Sequence, residues 1–456
     1  MLNKFLPSSF RDPSGRLFVH NGDIYRQVNL NYKLNFNHLI KSGLYEKLVR
    51  LRLLVSHQEV NLKTTADREV YKVIKPSVIP FISYPYEWCF GQLKDAALLT
   101  LKIQKIAMKF GMMLKDASAY NVQFLSGKPI LIDTLSFEIY QKGSPWIAYR
   151  QFCEHFLAPL SLVKFKDERL NRLLQIYLDG VPLGLASKLL PLKSYFNLSI
   201  LSHVHLHSRG QMSFSDFDLK KAKRHKLSSH SLEALIDNLE NSVANLHWRI
   251  KNSIWLDYYK KQSYSTKSFF HKKDIVKQFF KTINPNTVLD VGANIGIFSR
   301  LANDQNIFTI SIDSDHVVVE KNYQILSTKQ NNVLPLVIDL TNPSPAIGWL
   351  NEERASFIER CQVDVVLALA LIHHLVMKDN IPLEKIAQMF SRLSRWLIIE
   401  FVEEDDLQIK QLKNQSLKKF DYNKDGFERA FSRYFKILQI IKIKDSSRSV
   451  YLMCKG

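Results

Sequence analysis

From residue 287 onward, short apolar runs alternate with amphipathic stretches. The runs are Thr287–Val291, Phe308–Asp313, Val333–Asp339, Val363–Ala370, Trp396–Phe401, Ile437–Ile443 and Ser449–Met453. Runs of this length, bounded by turn residues and separated by helical periodicity, predict strands of a mostly parallel sheet. Val363–Ala370 is almost continuously apolar, as a strand buried on both faces would be. A Lys/Asp/Ser turn separates the last two runs and suits an antiparallel hairpin. Upstream the pattern is helical over Asp95–Phe110, with Gly111 placed to cap it, and again over Leu232–Lys251, where Leu235, Leu239, Val243 and Leu246 share a face. Ser213–Ser231, with the basic run Lys220–Lys226, lacks apolar periodicity and is expected to be a linker or surface loop.

The first strand leads into Asp290-Val-Gly-Ala-Asn-Ile-Gly296. Gly292 and Gly296 permit a tight turn with close backbone approach to a ligand, and the helix that follows aims its first N–H groups at that turn. A nicotinamide-binding G-x-G-x-x-G would need glycines where Asn294 and Ile297 stand, so that reading fails at two of three positions. The segment instead resembles the D-x-G-x-x-x-G turn of class I S-adenosylmethionine (SAM) methyltransferases, with Asn294 in place of a common middle glycine. That resemblance implies a Rossmann-like domain with a mostly parallel seven-stranded sheet, with SAM held by Asp290, Gly292, Asn294, Gly296, Asp313 and Asp339. Asp313 would accept from the ribose and Asp339 would lie near the adenine. Read one at a time, the three acids are ordinary turn or cap residues. Their placement at three successive strand ends favours a ligand edge.

His373 and His374 follow the fourth strand at the same edge, and either imidazole is a candidate base for a hydroxyl or amine. Asn342-Pro-Ser-Pro345 superficially resembles the motif of exocyclic-amine DNA methyltransferases, but it follows the third strand and lacks the aromatic residue. Trp349, the Glu353–Arg354 pair and Arg360 are expected on a surface ion-paired helix.

At 456 residues the chain calls for more than one domain: a basic α+β domain over 1–210, a linker and helical segment over 211–280, and the methyltransferase-like domain over 281–456. The net charge of +20 is uneven, with 28 Lys+Arg against 15 Asp+Glu in 1–210 and near balance after 280. Such a surface admits nucleic acid, anionic lipid or a phosphorylated substrate, but no RNA-binding motif accompanies it, so nucleic acid is not the favoured partner. No apolar run of membrane-spanning length and no signal pattern occurs, and a cytoplasmic location is expected. Cys89, Cys153, Cys361 and Cys454 show no C-x-x-C spacing and are expected to be buried thiols. His203-Val-His-Leu-His207 would place imidazoles on one face of a strand, but without a neighbouring carboxylate or thiolate no metal site is expected.

In the N-terminal half, Leu114-Lys-Asp-Ala-Ser-Ala-Tyr-Asn121 and Gly127-Lys-Pro-Ile-Leu-Ile-Asp133 resemble the catalytic-loop and metal-binding segments of protein-kinase-like folds. The resemblance implies Asp116 as base and Asn121 with Asp133 as metal ligands. A Gly-rich phosphate loop and a strand lysine paired to a helix glutamate are missing, and Thr134-Leu135 replaces Phe-Gly. Selection of the acceptor is the more economical role for this half. Along most of its length the chain also resembles a bacterial two-part methyltransferase group related to a nodulation host-specificity protein, through Ser83–Trp88, Leu114–Asn121, Asn342–Trp349 and Ala368–Leu375. The expected function is methyl transfer from SAM to an oxygen or nitrogen acceptor that the sequence does not specify. The alternatives are a SAM-binding regulatory or scaffold protein and a phosphotransferase.

Overall fold

The computed structural model describes residues 4–62, 69–208, 228–249, 253, 255–256, 265–406, 409–410 and 422–456. The basic run Lys220–Lys226 lies outside them. The chain divides into two compact units: residues 1–249 with 346–355, and residues 250–345 with 356–456.

The first unit opens with strands β1 (Lys4–Phe5), β2 (Leu17–His20) and β3 (Asp23–Asn29), helices α1 (Lys33–Lys41) and α2 (Leu44–Arg50), and strands β4 (His57–Val60) and β5 (Val70–Pro76). The five strands form an antiparallel sheet in the order β1-β2-β3-β5-β4. Helix α3 (Phe90–Lys109) follows, buried through Leu93, Ala97, Leu101 and Gln104, and Gly111 beyond it takes φ +70°. Two antiparallel pairs come next: β6 (Met112–Leu114) with β9 (Phe137–Ile139), and the hairpin of β7 (Val122–Leu125) and β8 (Lys128–Leu131). The aromatic segment at 84–88 is core: Trp88 is fully buried and donates to Ser83 Oγ at 2.9 Å.

The alternating histidines do not form a strand. Leu201–Leu206 is a π-helical turn, in which His203 meets the Tyr149 hydroxyl and Asn238 Oδ1, each at 2.7 Å. His205 meets Ser187 Oγ at 2.7 Å and Ser194 Oγ at 2.8 Å and stacks on Tyr195. Both imidazoles thus spend both ring nitrogens on hydrogen bonds, which explains polar residues in a buried helix. Helix α4 (Ser229–Ala244) buries Leu232, Ile236, Leu239 and Val243, a stripe shifted by one residue from Leu235.

Residues 346–355 are an excursion that packs within the first unit. Glu353, 6% exposed, pairs with Arg11 at 3.0 Å; Arg354 donates to Ser8 O at 3.1 Å, and its guanidinium lies 4.7 Å from the centroid of the Tyr120 ring. The expected surface helix is not continuous: within the excursion only a single turn, Trp349–Asn351, forms and the Glu353–Arg354 pair is anchored, while Arg360 ends a separate short helix, Phe357–Arg360, capped by Ser356.

In the second unit, helix α5 (Thr266–Ile283) leads into β10 (Thr287–Val291), α6 (Ile297–Asn303), β11 (Phe308–Asp313), α7 (His316–Leu326) and β12 (Val333–Val337). Strand β13 (Val363–Ala368), α8 (Ile372–Met377), α9 (Leu383–Leu393), β14 (Ser394–Val402), α10 (Lys424–Ser432), β15 (Phe435–Lys442) and β16 (Arg448–Lys455) complete it. The seven strands are ordered β12-β11-β10-β13-β14-β16-β15. The first five run parallel, and β16 is antiparallel to both β14 and β15. The expected mostly parallel sheet with a terminal hairpin is therefore present.

Burial explains the strand composition. Helices α5 and α6 lay Val276, Phe279, Phe280, Phe298 and Leu301 against Val288, Val365, Ile398 and Val450. At the polar start of β13, Asp364 accepts from the N–H groups of Asn286 and Thr287 at 2.8 and 2.9 Å. The connections diverge on either side of β10, to β11 one way and β13 the other, so a crevice opens at the carboxyl ends of these strands. Among the described residues, no helix is long and apolar enough to cross a membrane.

Candidate functional site

The crevice is a single cleft lined by Asp290, Gly292, Asn294, Asp313, Asp339 and His374, together with Trp255, Phe269, Lys272, Leu371, Lys378 and Asp379. The parallel register brings the acids to the carboxyl edge in a stagger: Asp290 pairs across to Ser311, two residues before Asp313, and Asp313 pairs to Val337, two residues before Asp339.

The turn after β10 relies on left-handed backbone at three alternate positions, Gly292 (φ +68°), Asn294 (φ +54°) and Gly296 (φ +72°). Asparagine tolerates this region better than most residues, and here its side chain adds what glycine lacks. Asn294 Nδ2 donates to the Trp255 carbonyl at 2.8 Å, fixing an aromatic wall of the cleft. Gly296 does not line the cleft; its role is steric. A Cβ there would sit 2.3 Å from Asn322 Oδ1, and Asn322 is buried and donates to Ser311 Oγ at 3.0 Å, so it has no room to yield. Gly296→Ala is expected to cost about 1–3 kcal/mol of stability, read as a lowered denaturation midpoint. An unchanged midpoint would show that the turn relaxes freely.

The acids differ in their surroundings. Asp290 is buried and accepts from Ser299 Oγ at 2.6 Å; burial lifts its pKa to about 6, opposed by the Ser299 hydrogen bond and by Lys272, and assisted by the charge of Asp313. Asp313 accepts from the N–H of Asn294 at 2.9 Å and of Asp315 at 3.0 Å. Desolvation lifts it too to about 6, against those two donors. A carboxylate offers about four acceptor positions, so Asp313 retains capacity for ligand hydroxyls. Asp339 closes a local turn, accepting from Thr341 N and Oγ1 at 2.9 and 2.7 Å.

The two histidines part company. His374 lines the cleft, edge-on to Trp255 at 5.4 Å between ring centroids, and burial lowers its pKa to about 4. His373 is absent from the cleft wall: it is fully buried, neither ring nitrogen has a hydrogen-bond partner, and desolvation pushes its pKa well below the ordinary range.

Lys272 was not legible as a site residue. It projects from α5 into the interior, 4% exposed, pairs with Glu400 on β14 at 2.5 Å, and lies 5.1 Å from the Phe298 ring centroid. Arg448 on β16 faces the same Glu400 at 3.6 Å and Asp406 at 2.8 Å. The available signal was positional, since Lys272 occupies the buried stripe of α5 shared with Ser268, Ile275, Val276 and Phe279.

In the first unit, Asp133 is paired with Arg26 of β3 at 3.0 Å and accepts from Ser136 Oγ at 2.8 Å, while Asn121 Nδ2 donates to the same Ser136 Oγ at 3.3 Å. Arg26 also bonds Asp12. Asp116 is held elsewhere, by Gln151 Nε2 at 2.8 Å and Ser118 N at 2.9 Å. Asn121 and Asp133 are thus brought together through Ser136. Among the described residues, no group of three or more His, Cys, Asp or Glu side chains is arranged to hold a metal ion. The four cysteines are free thiols, Cys454 partly exposed and the others buried.

No family model matches the chain. Among solved structures, it is similar to magnesium protoporphyrin IX methyltransferase (ChlM) from Synechocystis PCC 6803 with bound SAH, at 16% identity over 41% of this chain and 84% of that one, with a TM-score of 0.30. It is also similar to the N-methyltransferase NodS from Bradyrhizobium japonicum WM9, at 8% identity over 42% and 98%, with a TM-score of 0.33. In sequence it is 32% identical to nodulation protein NoeA of Rhizobium meliloti (strain 1021) over 451 residues, covering 97% of this chain and 94% of that protein. An alignment of that identity, running nearly end to end in both proteins, places the chain in the family of nodulation protein NoeA.

Proposed function

We propose that the second unit binds SAM and transfers its methyl group to an oxygen or nitrogen acceptor. The observation that carries this reading is the convergence of Asp290, Asp313 and Asp339 with Gly292, Ala293 and Asn294 of the turn on one cleft at the switch point of the sheet. The donor set suits the ligand: acids for ribose hydroxyls and an ammonium, aromatic walls in Trp255 and Phe269 for apolar and cationic parts. Asp313 would bind the ribose hydroxyls, Asp339 would lie at the adenine end, and Asp290 with the turn would face the methionine end. When bound, SAM supplies an electrophilic methyl on a sulfonium. The protein's part is alignment and proton removal. His374 is the base in this proposal; burial keeps its ring neutral at physiological pH, so a ring nitrogen is available to take a proton from an acceptor O–H or N–H. His373 supports the floor beneath it, 4.2 Å away between ring centroids.

The first unit is proposed to select the acceptor. Kinase-like descent is supported by the two helices inserted between β3 and β4 and by Arg26 of β3 reaching Asp133, but that ion pair gives Asp133 a protein cation as partner. The reading therefore assigns no phosphotransfer to this unit.

Calorimetric titration of the full chain with SAM, beside Asp313→Ala, tests the proposal. Saturable binding weakened about tenfold or more by the substitution is expected. A folded wild-type protein that does not bind SAM overturns it. Binding without methyl transfer to any hydroxyl or amine acceptor would leave a SAM-responsive regulatory protein instead.

A further inference from the structure

The stretch Gly180–Ser208 of the first unit carries no Asp or Glu. It holds the three most exposed large apolar side chains among the described residues: Leu192 at 82% exposure, Phe196 at 89% and Leu198 at 80%. Their backbone is fixed. Leu192–Phe196 is a short helical turn in which Ser194 is buried and donates to Pro191 O at 2.7 Å. Ser194 Oγ also meets His205 Nε2 at 2.8 Å, and the Tyr195 ring stacks on that imidazole with centroids 3.8 Å apart. Asn197 caps the turn that follows, accepting from the Ile200 N–H at 3.1 Å. Residues 194 and 195 thus pin the segment inward, while Leu192, Phe196 and Leu198 are held out toward solvent. Lys193 is exposed among them, and Ser187, bonded to the same imidazole at 2.7 Å, brings the neighbouring exposed Lys188 to this part of the surface.

We infer that this surface docks on an anionic phospholipid bilayer, with Leu192, Phe196 and Leu198 entering the interface and Lys188 and Lys193 meeting the headgroup charge. Large apolar side chains held outward by a pinned backbone lower solubility unless something covers them. At 80–89% exposure each one stands nearly clear of its neighbours, as on a protrusion and unlike the floor of a protein-binding groove. Apolar tips flanked by lysines, in a segment without acids, match the two-part chemistry of a bilayer interface, hydrocarbon beneath negative headgroups. The basic excess of residues 1–210 adds attraction of the same sign. Helix α4 reaches this region through the hydrogen bond of Asn238 with His203; its Asp237 and Glu240 are paired with Lys105, and Glu233 is exposed. Nucleic acid would use the lysines, but two leucines offer its bases no aromatic face to stack on. Attachment through three side chains and two ammonium groups is peripheral and reversible. Nothing in this surface depends on what the cleft of the second unit binds.

The test is flotation of the full chain with vesicles of phosphatidylcholine alone and of phosphatidylcholine mixed equally with phosphatidylglycerol. Wild type is expected to partition onto the anionic vesicles about tenfold or more strongly than onto the neutral ones, and less so as salt is raised. Phe196→Ser/Leu198→Ser should lower that partition by about tenfold or more. Lys188→Gln/Lys193→Gln should lower it by about tenfold while leaving binding to neutral vesicles unchanged. All four side chains are exposed, so both variants should keep the wild-type denaturation midpoint. A wild-type protein that does not float with anionic vesicles overturns the proposal, as does equal partition onto the two compositions. Undiminished flotation of the serine variant overturns it too, because the contact then lies elsewhere. If the serine substitutions instead abolish a concentration-dependent dimer or lower the denaturation midpoint, protein covers the patch, from a second copy or from the chain itself, and the lipid assignment falls.

Discussion

Glu400→Leu is expected to destabilise the protein by about 3–5 kcal/mol, the largest effect of any single substitution discussed. Glu400 is completely buried, with Lys272 at 2.5 Å and Arg448 at 3.6 Å, both also buried. Removing the shared carboxylate leaves two desolvated cations, Arg448 with Asp406 at 2.8 Å and Lys272 with the charge of Asp290 in place of its ion pair. The cost lies in stranding a charge, because the pair itself is worth little against the desolvation it required. The double variant Lys272→Met/Glu400→Gln should accordingly be much closer to wild type than Glu400→Leu. Chemical denaturation of the three proteins decides this: equal losses in both variants would show that packing at this spot, not charge, sets the stability.

Raising the pH from 5 to 7.5 should tighten SAM binding by about a hundredfold. Asp290 and Asp313, each with a pKa lifted to about 6, are each about one-tenth ionised at pH 5, and the binding reading requires both as anions. Their mutual repulsion spreads the two steps, so the gain accrues over a broad range rather than at one pH. The stability of the ligand-free protein responds in the opposite sense. A carboxyl whose folded pKa is raised from 3.8 binds its proton more tightly when folded, so its stabilising contribution is full below about pH 4 and is lost as the pH rises through 6. Titrations of SAM across this range, with unfolding measured in its absence, should show affinity rising while this contribution to stability falls. Affinity independent of pH would remove both acids from the cofactor's first contacts.

The ligand edge was readable in the sequence because a parallel sheet aligns strand ends: Asp290, Asp313 and Asp339 are spaced by whole β-α units, and each stands where an apolar run stops. Asn294 was readable as a departure, and the left-handed backbone it adopts is one asparagine tolerates. The separation of His373 from His374 was not readable. Adjacent residues on a helix diverge by about 100°, and nothing local says which one meets the cleft. Lys272 was hidden by its type, since periodicity counts lysine as polar even inside a buried stripe. The histidines at 203 and 205 misled because an alternation of two in a short segment looks like a strand, whereas a π turn with four side-chain partners satisfies them instead. Most remote of all was the placement of 346–355, where Arg354 bonds a carbonyl 346 positions earlier. No local pattern encodes so distant a partner.

That excursion bears on how such a protein can evolve. Because residues 346–355 complete the first unit, a gene broken near codon 250 would yield an N-terminal product lacking the arginine that covers Tyr120 and the glutamate that pairs with Arg11. The remaining product would carry a ten-residue stretch with those partners gone. Separating the two parts would therefore cost the first unit these contacts unless the excursion were replaced.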